Sequence, residues 1–193
     1  MEQYIAHRLK SCRDPRMVAD CVLQEARAIT GTFMGNVQLM NWRDGALTIA
    51  AQSGFEDEFL NFFRRVGLDC GSVCALALSR RADVSVEDVR HDDGCLPYGG
   101  IFARAGVRAV HSVPLITNGD ALVGMLSVHF SERMKLNAVQ VAAMRDFATL
   151  AADKILYLTA EMKTYPQLVR GSASALKGAR EALVSADKTL GRW

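Results

Sequence analysis

Residues 105–130, AGVRAVHSVPLITNGDALVGMLSVHF, constrain the fold most, because they are nearly as apolar as a membrane span yet contain a turn signal. Asp120 is the only formally charged residue between positions 109 and 131. The dipeptide Asn118-Gly119, which readily adopts positive φ at both centres of a type I′ turn, lies near the middle. Each apolar run beside it is too short to cross a bilayer. The segment therefore predicts an antiparallel hairpin buried on both faces, in the centre of a sheet.

A two-residue turn would pair Thr117 with Asp120, and alternation along the strands would then set two faces. The first is almost entirely aliphatic and suits packing against helices; it receives His111, Val113, Leu115, Leu122, Gly124, Leu126 and Val128. The second mixes small and polar groups; it receives Val110, Ser112, Pro114, Ile116, Val123, Met125, Ser127 and His129. We predict that a ligand pocket, if the protein has one, lies on the second face.

Composition favours one globular domain with an appendage. The chain has 193 residues, half of them hydrophobic, and a formal net charge of +2. Its basic residues are dispersed and do not alternate with aromatic residues, so the pattern does not indicate a nucleic-acid surface.

The cysteines indicate a reducing compartment. Five are present, an odd number, without a CxxC pair or a Cys/His spacing typical of a zinc site. The N-terminus lacks the apolar core of a signal peptide. We therefore expect a cytoplasmic protein with reduced thiols and no metal site.

Local signals predict an α+β order of elements. Asp14-Pro15 is typical of a helix start, and Gly31 of a helix end. Further along, the patterns predict strands at 37–41 and 47–51, helices at 55–66 and from Gly71-Ser72 to Leu78, a strand at 84–86, a loop at 90–100 and a long helix at 136–162. The expected division is an N-terminal segment (1–14), a main α+β domain (15–162) and a helical tail (163–193).

Three blocks of this sequence carry a resemblance to a known family. They are GSVCALALSRRADVSVEDVRHDD from Gly71, the 105–130 hairpin, and the closing helix from Leu136. Their order is similar to the helix, "v.v.DV..D" strand and loop, "G..s..s.PL" strand, "G.L.v" strand and final helix of the GAF domain family. SGFEDEFLNFFRRV further resembles the GAF modules that accompany bacterial sensory histidine kinases.

The resemblance implies a central antiparallel sheet of five or six strands with helices on both faces and a C-terminal helical extension. It implies a signal-transduction sensor that binds a small molecule or a partner, such as a sensory histidine kinase, and signals through terminal helices without catalysis. GAF domains bind chemically diverse ligands or none, so neither ligand nor cofactor is identified.

The candidate ligand-binding residues follow from the second face and from the segment where such a domain has its lid. Ser112, Met125, Ser127 and His129 would offer polar and soft groups between apolar walls. Tyr98 and Phe102 fall in the lid segment, where core packing is an equally good interpretation.

Cys74 and Cys95 support an alternative function, either as a thiol-dependent enzyme or as a noncatalytic redox sensor. Their placement resembles that of the cysteines in free methionine-(R)-sulfoxide reductases, in which one thiolate attacks the sulfoxide and a second cysteine resolves the product. The departure is that the family's third cysteine lies well upstream, whereas Cys70 is only four residues from Cys74. No cysteine is followed by histidine, the pair used for bilin attachment. No histidine follows His129 that could serve as the phosphoacceptor of a histidine kinase.

The tail has aliphatic residues at intervals of seven: Val169, Leu176, Leu183 and Leu190. This spacing is typical of a helix seam, and we expect a homodimer through terminal helices. An amphipathic helix lying back on its own domain remains the alternative.

Overall fold

The computed structural model describes residues 2–67 and 72–161. The helices are α1 (Glu2–Ser11), α2 (Pro15–Thr30), α3 (Asp57–Phe62), α4 (Val73–Arg80), α5 (Gly99–Arg104) and α6 (Ala138–Glu161), with a short 3₁₀ turn at Leu96–Tyr98. The strands are β1 (Met34–Asn41), β2 (Ala46–Ser53), β3 (Arg65–Val66), β4 (Val84–Val86), β5 (Ala109–Ile116) and β6 (Leu122–Phe130). Cys70, Gly71 and the predicted tail seam at 169–190 lie outside the described residues.

One antiparallel sheet organises the domain. Its six strands follow the order β3-β2-β1-β6-β5-β4, so the two long strands β5 and β6 are both internal. This confirms the α+β fold and the buried hairpin predicted from the apolar composition of 105–130. Among the described residues, no helix has both the length and the apolarity to cross a bilayer.

The turn between β5 and β6 differs from the predicted type I′ turn. Asp120 N donates to Thr117 O at 2.9 Å, which closes a turn around Asn118 and Gly119. Positive φ falls on Asp120, at 64°, and on neither central residue. An extra residue in the left-handed region after the turn produces a bulge, and the prediction of a two-residue turn was wrong for that reason.

Two irregularities change the pairing of the hairpin. The extra loop residue at Asp120 shifts the register by one position, and a second shift between Leu115 and Ile116, where β6 has Val123 as an extra residue, adds one more. Ser112 therefore pairs with Ser127, two positions from the partner that a two-residue turn would impose. A total shift of two residues preserves the faces, so most of the predicted face assignment is confirmed. At the second shift it was wrong: Val123 packs in the core with α2 and α6, and Leu122 packs on the opposite side of the sheet.

Helices α1, α2 and α6 cover one face of the sheet. Helix α2 begins where predicted, because the Asp14 side chain accepts hydrogen bonds from Arg16 N and Met17 N, and it ends at Gly31 with φ of 73°. The aliphatic face of the hairpin, including Leu115 and Leu126, packs in this core. Helix α1, which was not predicted from the sequence, contributes buried Ile5 and Leu9 to the same core.

The other face of the sheet is covered by the short helices α3, α4 and α5. Ser72 caps α4 by accepting a hydrogen bond from Ala75 N at 3.2 Å. The predicted helix at 55–66 is shorter than expected, because β3 begins at Arg65. The predicted loop at 90–100 is also shorter than expected, since the 3₁₀ turn at Leu96–Tyr98 and the start of α5 at Gly99 lie within it. A second core of aromatic and aliphatic side chains fills the space beneath these helices.

Candidate functional site

A small cavity lies between the sheet and the short helices, within this second core. Its volume is about 20 Å³, enough for about one water molecule. Strands β1, β5 and β6 form its floor, and α3, α4 and α5 contribute its walls. The lining residues are Asn36, Gln38, Phe59, Phe63, Ser72, Val73, Cys74, Phe102, Val110 and His129.

Three buried polar atoms at this cavity have no hydrogen-bond partner among the described residues. They are Asn36 Oδ1, Gln38 Oε1 and His129 Nδ1. These side chains are only 3 %, 1 % and 3 % exposed, respectively. Leaving a buried polar group unsatisfied costs about 1–3 kcal/mol, so three such groups around one cavity call for an explanation.

Strand alternation explains why the two amides reach the cavity. Asn36 and Gln38 point away from the terminal helices, since Val37 between them packs in the core beneath α2. Gln38 Nε2 donates to the backbone oxygen of Phe63 at 3.4 Å. This bond orients the amide and leaves Gln38 Oε1 as an acceptor without a partner.

His129 stands among aromatic rings. The ring of Phe55 lies nearly perpendicular to it at a centroid distance of 4.9 Å, and Phe59 at 5.9 Å. Burial lowers the pKa of His129 to about 3, because the charged form would lose its hydration. The imidazole is therefore neutral at physiological pH, with one donor and one acceptor nitrogen.

Two serines and a cysteine form a polar contact beside the cavity. Ser112 Oγ and Ser127 Oγ lie 2.8 Å apart across the β5–β6 pair, and the Cys74 sulfur is 3.5 Å from Ser127 Oγ. The hydroxyls thus partner each other beneath α4. Met125, fully buried, shares this face of β6.

The lid residues predicted from the sequence lie in an aromatic cluster over the cavity. Phe102 stacks on Phe63 with ring centroids 6.0 Å apart, and Tyr98 lies 6.1 Å from Phe63. Phe102 lines the cavity directly, whereas Tyr98 packs behind these rings. Of the six predicted ligand residues, His129 and Phe102 line the cavity. The other four lie beside its walls or on the same face of the sheet: Ser112, Met125, Ser127 and Tyr98. Contact of any of the six with a ligand stays a prediction.

Cys95 and Cys74 occupy different surroundings. Cys95 is buried, and burial, with Asp92 nearby, raises the pKa of its thiol to about 12. Such a thiol is a poor nucleophile because it holds its proton at physiological pH. The Cys74 thiol instead contacts the hydroxyl of Ser127, one of the two paired serines.

Among the described residues no cluster of His, Cys, Asp or Glu could hold a metal ion.

A larger groove opens on the opposite side of the sheet, with a volume of about 530 Å³. It lies between the β1–β2 hairpin and helices α2 and α6, with Trp42 and Ile155 among its walls. None of the buried unpartnered atoms found in the described residues lines it. We therefore assign the candidate site to the smaller cavity, where unmet hydrogen bonds converge.

The sequence and the architecture match a known family. The family model of the GAF domain matches residues 12–155. The chain belongs to the GAF domain family. No curated protein matches its sequence.

Solved structures share the GAF fold with this chain. The GAF domain of a phosphoenolpyruvate-protein phosphotransferase from Coxiella burnetii has a TM-score of 0.70 at 14% identity, covering 84% of this chain and 94% of that one. A domain assigned to a two-component sensor histidine kinase of Sinorhizobium meliloti 1021 has a TM-score of 0.63 at 14% identity, with 77% and 95% covered. At such identities the likeness shows the fold alone.

An enzyme is also among the similar structures. Free methionine-R-sulfoxide reductase from Neisseria meningitidis, solved with its substrate, has a TM-score of 0.67 at 16% identity, covering 82% of this chain and 87% of that one. The GAF fold thus occurs both in sensor proteins and in an enzyme, and the residues of the site must decide between them.

The two amides of this GAF domain were not predicted to be site residues. The predicted strand began at residue 37, and no role was assigned to Asn36, just before it, or to Gln38 within it. The available signal was that Asn36 and Gln38 alternate with apolar residues in a strand next to the buried hairpin. Polar residues on a strand covered on both faces must point into a core or a pocket.

Proposed function

We propose that this GAF domain is a sensory module that binds a small molecule in the cavity and signals through its terminal helices without catalysing a reaction. The observation that carries the proposal is the convergence of Asn36 Oδ1, Gln38 Oε1 and His129 Nδ1, all buried and unpartnered, on one cavity. A ligand with matching polar groups would complete these hydrogen bonds.

Strands β1 and β6 connect the cavity directly to the terminal helices, so ligand binding on one face of the sheet can move side chains on the other. In β1, Gln38 faces the cavity while the adjacent Val37 packs beneath the helices. In β6, His129 and its neighbour Val128 are arranged in the same way. A ligand that shifts either strand would move side chains packed against α2 and α6, because cores are too tightly packed to absorb the shift.

The thiols support a sensor over a thiol enzyme. A reductase of the type considered above needs a thiolate and a resolving cysteine within disulfide reach. The protonated, buried thiol of Cys95 fits neither role.

The proposed output is a helical interface in a cytoplasmic homodimer or in a complex with a signalling partner such as a sensory histidine kinase. Exposed apolar side chains on the terminal helices support this output. Tyr4 of α1, Met17 of α2 and Val139 of α6 are 60 %, 43 % and 73 % exposed. Contact of these helices with another chain would remove such side chains from water.

Native mass spectrometry of the full chain purified from its own host tests the binding function. We expect a 1:1 adduct on the wild type that denaturation releases. Gln38→Met should lose the adduct, and Gln24→Met, the same change at an exposed position of α2, should keep it. A wild type without any adduct, or an adduct unaffected by Gln38→Met, would contradict the proposal.

A further inference from the structure

We infer that the ligand of this cavity is an uncharged molecule whose N–H or O–H groups donate to Asn36 and Gln38 and whose flat or short apolar body lies against Phe59, Phe63 and Phe102. The inference rests on the proposed function, since it names the chemistry of the molecule that the same cavity would bind. It follows from the charge, the hydrogen-bonding polarity and the shape of the walls.

The charge of the walls excludes a strongly charged ligand. None of the described lining residues has an ionised side chain, and the one titratable imidazole, His129, is buried and neutral. An anion or a cation that entered would give up its hydration without gaining a counter-ion. A neutral molecule avoids this cost.

The polarity of the walls selects hydrogen-bond donors. Gln38 Nε2 is already engaged with the Phe63 carbonyl, so Gln38 Oε1 is the group presented to the cavity. Asn36 Oδ1, the other unpartnered amide atom, is likewise an acceptor. Two acceptors require donors, whereas a carboxylate or phosphate would bring further acceptors and leave both amide oxygens unsatisfied.

The shape of the walls favours a small, flat body. Phe63 and Phe102 stack with an angle of 23° between their planes, and Phe59 adds a third ring to the wall. The cavity has room for about one water molecule, so the ligand must part these rings as it enters. A planar group bearing an amide or similar donor could insert between them.

Three ring compounds of similar shape but different charge test which ligand charge the cavity accepts. Benzamide is neutral and donates two N–H bonds, benzoate is an anion without donors, and benzamidine is a cation with donors. Acetamide carries the same neutral donor group without the ring. Each would be titrated into the ¹⁵N-labelled full chain while the side-chain amide signals of Asn36 and Gln38 are followed by NMR.

We expect benzamide or acetamide to shift both amide signals, and benzoate and benzamidine to bind at least about tenfold more weakly. Asn36→Leu should weaken binding of the neutral probe about three- to tenfold. Asn61→Leu, the matched change at an exposed position of α3, should leave it unchanged.

The outcomes distinguish this inference from the proposed function. Benzoate or benzamidine binding in the cavity as tightly as the neutral probes would overturn the inferred ligand class and leave the binding function standing. If no probe shifts the amides, the molecule released in mass spectrometry decides: an ionised molecule overturns the inference, and an uncharged donor supports it. No probe binding and no released molecule would refute both.

Discussion

Gln38 shows at the scale of one residue how a polar side chain in a core can mark a site. Its amide nitrogen donates to the Phe63 carbonyl, whereas its buried oxygen lacks a partner among the described residues. A buried amide that serves a ligand can be replaced by an apolar side chain of similar length without loss of stability, whereas an amide that serves the fold cannot. Stability and binding should therefore respond differently to its removal.

Gln38→Met should leave the unfolding free energy unchanged or raise it by up to about 1.5 kcal/mol, because removing an unsatisfied buried oxygen offsets loss of the bond to Phe63. Leu126→Ala, in the core on the other face of the sheet, should instead lower stability by about 2–5 kcal/mol. Urea denaturation of the ligand-free proteins measures both values. A loss of stability in Gln38→Met comparable to that in Leu126→Ala would make Gln38 a structural residue.

At the scale of elements, the β5–β6 turn is joined to α6 by a buried acid. Asp153 of α6 accepts hydrogen bonds from Asn118 N at 3.1 Å and from Asn118 Nδ2 at 2.6 Å. Burial raises the pKa of Asp153 to about 6 despite these bonds. The helix and the hairpin are thus coupled through a carboxyl group that changes charge near neutral pH.

The raised pKa fixes the direction of a pH effect. Because the folded protein holds the Asp153 proton more tightly than the unfolded chain does, this group stabilises the fold most at low pH, and the contribution is lost as pH rises from about 4 through 6. Asp153→Asn should remove that dependence and, above pH 7, stabilise the protein by on the order of 2 kcal/mol.

Urea midpoints measured from pH 4 to pH 8 test this effect. The difference between Asp153→Asn and wild type should grow between pH 4 and 6 and then level off. Asp146→Asn, exposed on the same helix, controls for the loss of one negative charge. A difference that is constant with pH would show that Asp153 does not titrate in this range.

Elements with strong local signals could be predicted from the sequence, and those set by tertiary contacts could not. The Asp14 cap, the Gly31 end and the buried hairpin each follow from residues adjacent in sequence. The bulge at Asp120 could not be predicted, because Asn118-Gly119 suits a two-residue turn equally well and only packing selects the longer one. The short helix α5 lacked a helical pattern because its six residues begin with two glycines.

The candidate site was predictable only in part, for the same reason. Alternation along β6 placed His129 and Ser127 on the face away from the terminal helices, where the structure has them. Asn36 and Gln38 come from a strand nearly ninety positions upstream of their β6 neighbours, and their role depends on the pairing of β1 with β6. Pairing of distant strands cannot be inferred from a local pattern.

At the scale of the whole molecule, the proposal requires that terminal helices meet another chain. The seam of Val169, Leu176, Leu183 and Leu190 lies outside the described residues and stays a prediction. Burying such side chains contributes about 1.5–3 kcal/mol each before entropic costs are subtracted, enough to influence association.

Light scattering on the full chain tests the homodimer. We expect a dimeric wild type and a monomeric, folded Leu176→Asp/Leu183→Asp variant. Lys177→Asp, which changes a neighbouring position off the seam, should remain dimeric. A wild type that is monomeric at high concentration would contradict the dimer, and a double variant that unfolds would favour docking of the tail on its own domain.

A crystal structure of the protein purified from its own host would show whether the cavity beneath α3, α4 and α5 binds a small molecule. We expect density for an organic molecule within hydrogen-bond distance of Asn36 Oδ1, Gln38 Oε1 and His129 Nδ1, with the rings of Phe63 and Phe102 moved apart. A cavity that holds only a water molecule, with those rings still stacked, would contradict the proposed binding.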